Sequence, residues 1–126
     1  MRFFCWAGYR TRIARPLEPT GNARMLDLRP NCEYCDKDLP PASTEAMICT
    51  YECTFCAACV ETHLHNVCPN CGGGFERRPV RPATARRNGV GLAHQPASEK
   101  RVHLKHDRDG IAAFVAEVRD IPPEKR

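Results

Sequence analysis

Long apolar runs are missing from this chain. No stretch approaches the roughly 20 apolar residues of a membrane-spanning helix, so no spanning segment and no membrane partner are expected. The N-terminal run Phe3, Phe4, Cys5, Trp6 and Ala7 is shorter than the roughly 7–15 residues of a signal-peptide core and lacks a convincing cleavage site. A reducing cytoplasm is therefore the expected compartment. Large core-forming side chains are scarce as well: aromatics make up 7% of the residues and Trp6 is the single tryptophan. Between residues 25 and 80 the core candidates are Leu26, Leu28, Leu39, Met47, Ile48, Phe55, Val60, Leu64, Val67, Phe75 and Val80. So small an apolar set rarely stabilises a domain alone. No Gly-Lys-Ser/Thr follows Gly72 to Gly74, which excludes a phosphate-cradling loop there and leaves a turn.

Cysteine is what the chain has in excess. Eight of its nine cysteines fall in pairs: Cys32 and Cys35, Cys49 and Cys53, Cys56 and Cys59, Cys68 and Cys71. Their spacing is C-x2-C-x13-C-x3-C-x2-C-x2-C-x8-C-x2-C. Two thiolates two residues apart on a tight turn can both point into one tetrahedral site, at about 2.3 Å from Zn²⁺. Four pairs supply sulfur for two closed four-coordinate sites, so two zinc ions are expected. Disulfides are the rival, and they belong to oxidising compartments. Iron–sulfur spacings overlap the cluster but fail in context. Cys49, Cys53 and Cys56 have the C-x3-C-x2-C spacing of radical S-adenosylmethionine enzymes, whose barrel typically takes some 200 residues or more. Cys53, Cys56 and Cys59 echo bacterial ferredoxin, but eight residues, not three, precede Cys68. His63 and His65 are expected as exposed helix residues, since eight cysteines already fill two sites. Cys5, the odd cysteine, reads as a spare thiol.

The net charge of +4 hides a division. Residues 25 to 75 carry two basic and seven acidic side chains, a net of −5, and the other basic residues lie outside them. An acidic metal core is a poor phosphate-binding surface, so any nucleic-acid partner would have to be held by the arginine-rich tails.

Four segments are expected. Residues 1–24, broken by Pro16, Pro19 and Gly21, read as a disordered basic arm, and Met25 is a plausible start of translation. Residues 25–80 form the zinc-binding domain. Within it the pattern predicts a short strand at Met25 to Leu28, a second at Ala46 to Tyr51, and a last one from Phe75 to Val80. It also predicts a short helix over roughly residues 56 to 65, capped by Thr54, with Cys56 and Cys59 on its first turn. Cys68-Pro-Asn-Cys71-Gly-Gly reads as a knuckle whose glycines allow a left-handed turn. Residues 81–106 read as an Arg/Pro-rich solvated linker. In residues 107–126, Ile111, Phe114, Val115 and Val118 stand at i, i+3, i+4 and i+7, with Asp109 as a cap and Pro122 and Pro123 as the stop. This amphipathic helix either docks on the domain or offers its apolar face to a partner.

The order and spacing of the ligand pairs resemble the RING type of zinc domain, in which pairs one and three share one ion and pairs two and four the other. That resemblance implies one site of Cys32, Cys35, Cys56 and Cys59 and a second of Cys49, Cys53, Cys68 and Cys71. The first set alone also resembles a treble clef, a knuckle plus a helix N-terminus. The fold expected is therefore a small metal-stabilised α+β domain, a RING-like cross-brace or a treble clef, with short strands, one short helix, flexible tails and a C-terminal amphipathic helix. The run Met25-Leu-Asp-Leu-Arg-Pro-Asn-Cys32-Glu-Tyr-Cys35-Asp-Lys-Asp-Leu-Pro-Pro, with Glu52-Cys-Thr-Phe-Cys56 and Cys68-Pro-Asn-Cys-Gly-Gly, resembles a bacterial family of short cysteine-rich proteins, domain of unknown function twelve-seventy-two. That likeness covers roughly residues 25 to 82. It implies a bacterial origin and no activity.

RING ubiquitin ligases share Pro69 after the seventh cysteine but differ elsewhere. Their usual histidine ligand is Cys53 here, no tryptophan precedes Cys68, Glu33 stands at a common apolar contact, and Gly72 replaces a basic residue. A ligase is thus the weakest of the functional expectations. The leading one is a non-enzymatic zinc module that contacts a protein partner; the alternatives are nucleic-acid binding through the tails and a redox or zinc sensor.

Overall fold

The structure, a computed structural model, describes residues 25–126; the basic arm expected over residues 1–24, with Cys5, lies outside the described residues. A three-stranded antiparallel sheet lies at the centre, in the order β2–β1–β3. Strand β1 (Ala46–Ile48) pairs with β2 (Thr54–Cys56) with Met47 opposite Phe55, and with β3 (Glu76–Arg77) with Ile48 opposite Glu76. Helix α1 (Ala57–Cys59) follows β2 directly and widens into a π-helical turn over Val60–Leu64. Helix α2 (Arg108–Val118) comes after a long irregular segment with several turns, and a 3-10 turn, Pro123–Lys125, closes the chain.

The differences from the sequence reading have local causes. No strand forms at Met25 to Leu28; the chain there is extended and enters an isolated bridge between Asn31 and Asp38. The predicted strand from Ala46 ends at Ile48 because Cys49 to Cys53 closes a turn, with Glu52 at φ +68° and its N–H donating to the Cys49 carbonyl. That turn returns Thr54 to Cys56 as β2, so Thr54 is a strand residue and not a helix cap. Its hydroxyl donates to the Glu52 carbonyl, and Cys56 occupies the cap position. The last strand is shorter than expected and Val80 is exposed, but Arg78 beside it is buried. Its guanidinium donates from both terminal nitrogens to the carbonyls of Arg29, Leu39 and Pro40 at 2.8–3.1 Å, with no carboxylate bonded to it, while its buried Nε has no partner.

Phe55, Leu39, Leu64 and Val67 are fully buried, and Phe55 meets Phe75 edge to face with centroids 5.4 Å apart. Ile111 and Val115 of α2 complete this core, with Phe114 and Val118 packed against it. The amphipathic helix therefore docks on the domain. It starts earlier than expected: Asp107, not Asp109, is the cap, its carboxylate accepting from the Gly110 N–H.

Residues 81–106 carry no helix or strand, as a linker should, yet they are not a solvated tether or a flexible tail. The Arg81 guanidinium donates to the carbonyls of Leu26 and Gln95, each at 2.7 Å, and the Ser98 N–H donates to the Leu28 carbonyl. The Asn31 side chain exchanges two hydrogen bonds with the Val102 backbone, at 2.8 and 3.1 Å. Composition hid this because arginine reads as solvated until backbone carbonyls are found to receive it. Gly91 is required at φ +135°, where a Cβ would lie 3.2 Å from the Pro82 carbonyl oxygen.

Candidate metal centre

Two turns of the same design begin the two clusters. In the first, Asp36 takes φ +67°, its N–H donates to the Cys32 carbonyl at 2.8 Å, and the Cys32 N–H donates to the Lys37 carbonyl at 2.8 Å. In the second, Gly72 takes φ +81°, its N–H donates to the Cys68 carbonyl at 2.7 Å, and the Cys68 N–H donates to the Gly73 carbonyl at 2.8 Å. The left-handed residue after each Cys-x2-Cys lets the backbone curl round both sulfurs. Glycine meets that demand cheaply at 72. At 36 an aspartate meets it, with its carboxylate tied down by Asn31 and Arg101.

Backbone and amide N–H groups point at sulfur in both clusters. The Cys35 N–H faces Cys32 Sγ at 3.5 Å, and the Tyr51 N–H faces Cys49 Sγ at 3.3 Å. The Gly73 N–H faces Cys71 Sγ at 3.4 Å, and Asn70 Nδ2 faces Cys53 Sγ at 3.3 Å. Such donors favour the thiolate over the thiol.

Strand β2 and helix α1 then bring Cys56 and Cys59 to the first turn. The sulfurs of Cys32, Cys35, Cys56 and Cys59 all lie within 4.8 Å of one another, and Cys35 Sγ is 3.8 Å from Cys56 Sγ. The sulfurs of Cys49, Cys68 and Cys71 form a second group within the same limit. Cys53 is buried and stands outside that tight group, near enough to Cys49 and Cys68 to shift both thiols. Each group could hold a metal ion, and the two interleave along the chain. Neither His63 nor His65 belongs to one. His63 is exposed and stacks on Tyr34 with centroids 4.6 Å apart, and Arg108 lies over the same ring.

Hydrogen bonds from the Cys53 and Cys68 side chains hold the Cys49 thiol down at about 3. The same contacts push Cys68 up, and burial together with the charge on Cys32 pushes Cys59 up. Several anionic sulfurs so close together cannot coexist without a counter-charge, which a divalent ion at the centre would supply.

Sequence reasoning missed the residues that frame the clusters. Glu33 is 2% exposed, pairs with Arg29 at 2.7 Å, and accepts the Thr54 N–H at 2.7 Å, so it ties the first turn to β2. Arg101 and Asn31 hold the same turn from outside. No spacing marks such residues; only the carbonyls and amides they meet in space reveal them.

The family profile described as "Protein of unknown function (DUF1272)" matches residues 25–81, which include all eight paired cysteines. An uncharacterized protein of Rhizobium meliloti is 63% identical over 78 residues, covering 62% of this chain and 86% of that protein. No solved structure matches.

Proposed function

The chain belongs to the DUF1272 family, and from that premise and the two sulfur clusters we propose a non-enzymatic structural zinc module, with two Zn²⁺ ions in a RING-like cross-brace, that serves protein–protein contact. The observation that carries the metal is the first cluster. Four thiolates at about 2.3 Å from a tetrahedral Zn²⁺ would stand about 3.8 Å apart, and Cys35 Sγ and Cys56 Sγ are separated by 3.8 Å. Cys32, Cys35, Cys56 and Cys59 would hold one ion, and Cys49, Cys68 and Cys71 with Cys53 the other. Zinc held this way supplies charge neutralisation and cross-linking. All-sulfur donor sets favour zinc over harder metals.

A closed set of four thiolates leaves no position for substrate or activated water, which is why the reading is not enzymatic. Exposed apolar side chains, with Tyr51 70% exposed and Val80 54%, offer contact area for a protein partner. Nucleic-acid binding through the arginine-rich tail loses support. Arg78, Arg81, Arg101 and Arg126 spend their guanidinium groups on backbone carbonyls within the chain.

Native mass spectrometry with and without chelator tests the metal reading. Two zinc ions per chain are expected, and a chain that is metal-free yet compact, or whose paired cysteines are joined as disulfides, refutes it. Filter binding to single-stranded nucleic acid at two salt concentrations tests the partner class. Retention at low salt that falls steeply with added salt would overturn the protein-contact reading.

A further inference from the structure

The part of the chain beyond the family match, residues 82–126, returns to both Cys-x2-Cys turns and grips each at the same atom. Asp36 and Gly72 are the left-handed residues after Cys35 and Cys71. The carbonyl of each accepts from an arginine of the C-terminal segment: Asp36 O from Arg101 Nη2 at 2.7 Å, and Gly72 O from Arg126 Nη1 at 3.2 Å. Arg101 adds bonds to Asp36 Oδ1 at 2.9 and 3.1 Å and an ion pair with Asp38 at 2.8 Å. Arg126 also donates to the Asn66 carbonyl at 2.7 Å. Packing reinforces the second grip. A Cβ at Gly72 would lie 3.4 Å from the Phe114 ring, and one at Gly74 would lie 3.3 Å from Pro123.

We propose that residues 101–126 are a clasp that sets how fast metal leaves each cluster, with Arg101 holding the turn after Cys35 and Arg126 the turn after Cys71. This rests on the zinc reading above. Metal leaves a four-thiolate site only when a ligand swings out, and a Cys-x2-Cys ligand swings out only when its turn opens. Opening either turn breaks the N–H to carbonyl bond that closes it and strips the left-handed residue's carbonyl of its guanidinium. The clasp thus adds to the free energy of local opening, the step that limits exchange, while leaving the ligands untouched. Because the two arginines sit on different turns, the effect is separable by cluster.

The test uses the full chain loaded with two zinc ions and challenged with excess chelator. Native mass spectrometry follows the ions lost, and pulsed iodoacetamide labelling identifies which cysteines open first. Arg101→Gln should speed loss of the first ion by about ten-fold, with Cys32, Cys35, Cys56 and Cys59 labelled before any cysteine of the second cluster. Arg126→Gln should do the converse. Arg86→Gln, at an exposed residue with no ion pair among the described residues, should match the wild type. Two loaded ions leaving at unchanged rates in both arginine variants overturn the clasp. So does simultaneous labelling of both clusters at the first ion lost in either variant, which is general destabilisation. A wild-type chain that carries no metal instead overturns the zinc reading beneath it.

Discussion

Replacing one sulfur of the first cluster should unfold the domain, and Cys56→Ser is the sharpest form of that perturbation. Cys56 is 2% exposed and lies at the junction of β2 and α1, so its sulfur links the sheet, the helix and the first turn. Among the described residues, six of the sixteen buried apolar residues are cysteines in or beside the two clusters, so the sulfurs are a large share of the core itself. A structural zinc contributes about 10–16 kcal/mol of apparent binding free energy, against a typical total stability of about 5–15 kcal/mol. Weakening one site therefore removes a contribution as large as the whole margin. The remaining core is short of compensation: Phe55, Leu39, Leu64, Val67 and Ile111 are its largest fully buried apolar side chains. Far-UV circular dichroism of Cys56→Ser should show loss of the native spectrum, and excess chelator should do the same to the wild type. Zinc stoichiometry should fall to one or none. Native circular dichroism retained by the wild type in excess chelator, with metal loss verified by mass, would refute the coupling of metal binding to folding.

Substitutions at three further positions probe the frame, each read by urea unfolding of the metal-loaded chain. Phe55→Ala should cost about 3–5 kcal/mol, since the ring is fully buried against Phe75; a cost under about 1 kcal/mol would contradict that packing. Asp107→Ala should cost about 1 kcal/mol through loss of the α2 cap, and an unchanged midpoint would deny its role. At Glu33 burial pushes the carboxyl up, so the folded chain favours the protonated form more than the unfolded chain does. Stability from that shift is present below the ordinary carboxylate range and is lost as pH rises through the raised value. Glu33→Gln, which resembles the protonated acid, should therefore cost less than Glu33→Ala, which strands the Thr54 N–H and Arg29; equal costs would rule this out.

The legibility of this chain divides along a physical line. Cys-x2-Cys is a local device: the turn, its left-handed residue and its two sulfurs all fall within five residues, so Cys68 to Gly72 could be read as a knuckle without any tertiary information. The apolar face of α2 is local too, being written at i, i+3, i+4 and i+7, and Ile111 and Val115 are indeed its buried members. What sequence could not supply was which surface that face meets, because nothing in a helical period names a partner. Strand β2 was hidden for a related reason. Three residues, the last of them Cys56, are too few for an alternation to register, and Thr54 is as common a cap as it is a strand former. The arginines were misjudged most. Arg81 and Arg101 sit in a stretch whose proline and charge read as a solvated linker, and Arg78 just before it in a predicted strand, yet each is spent on backbone carbonyls. A domain of such short strands has many such carbonyls. A guanidinium with five donors can satisfy several at once without a regular ladder. In a chain this poor in apolar side chains, the basic residues outside the acidic metal core take part in building it, and their charge alone does not forecast a partner.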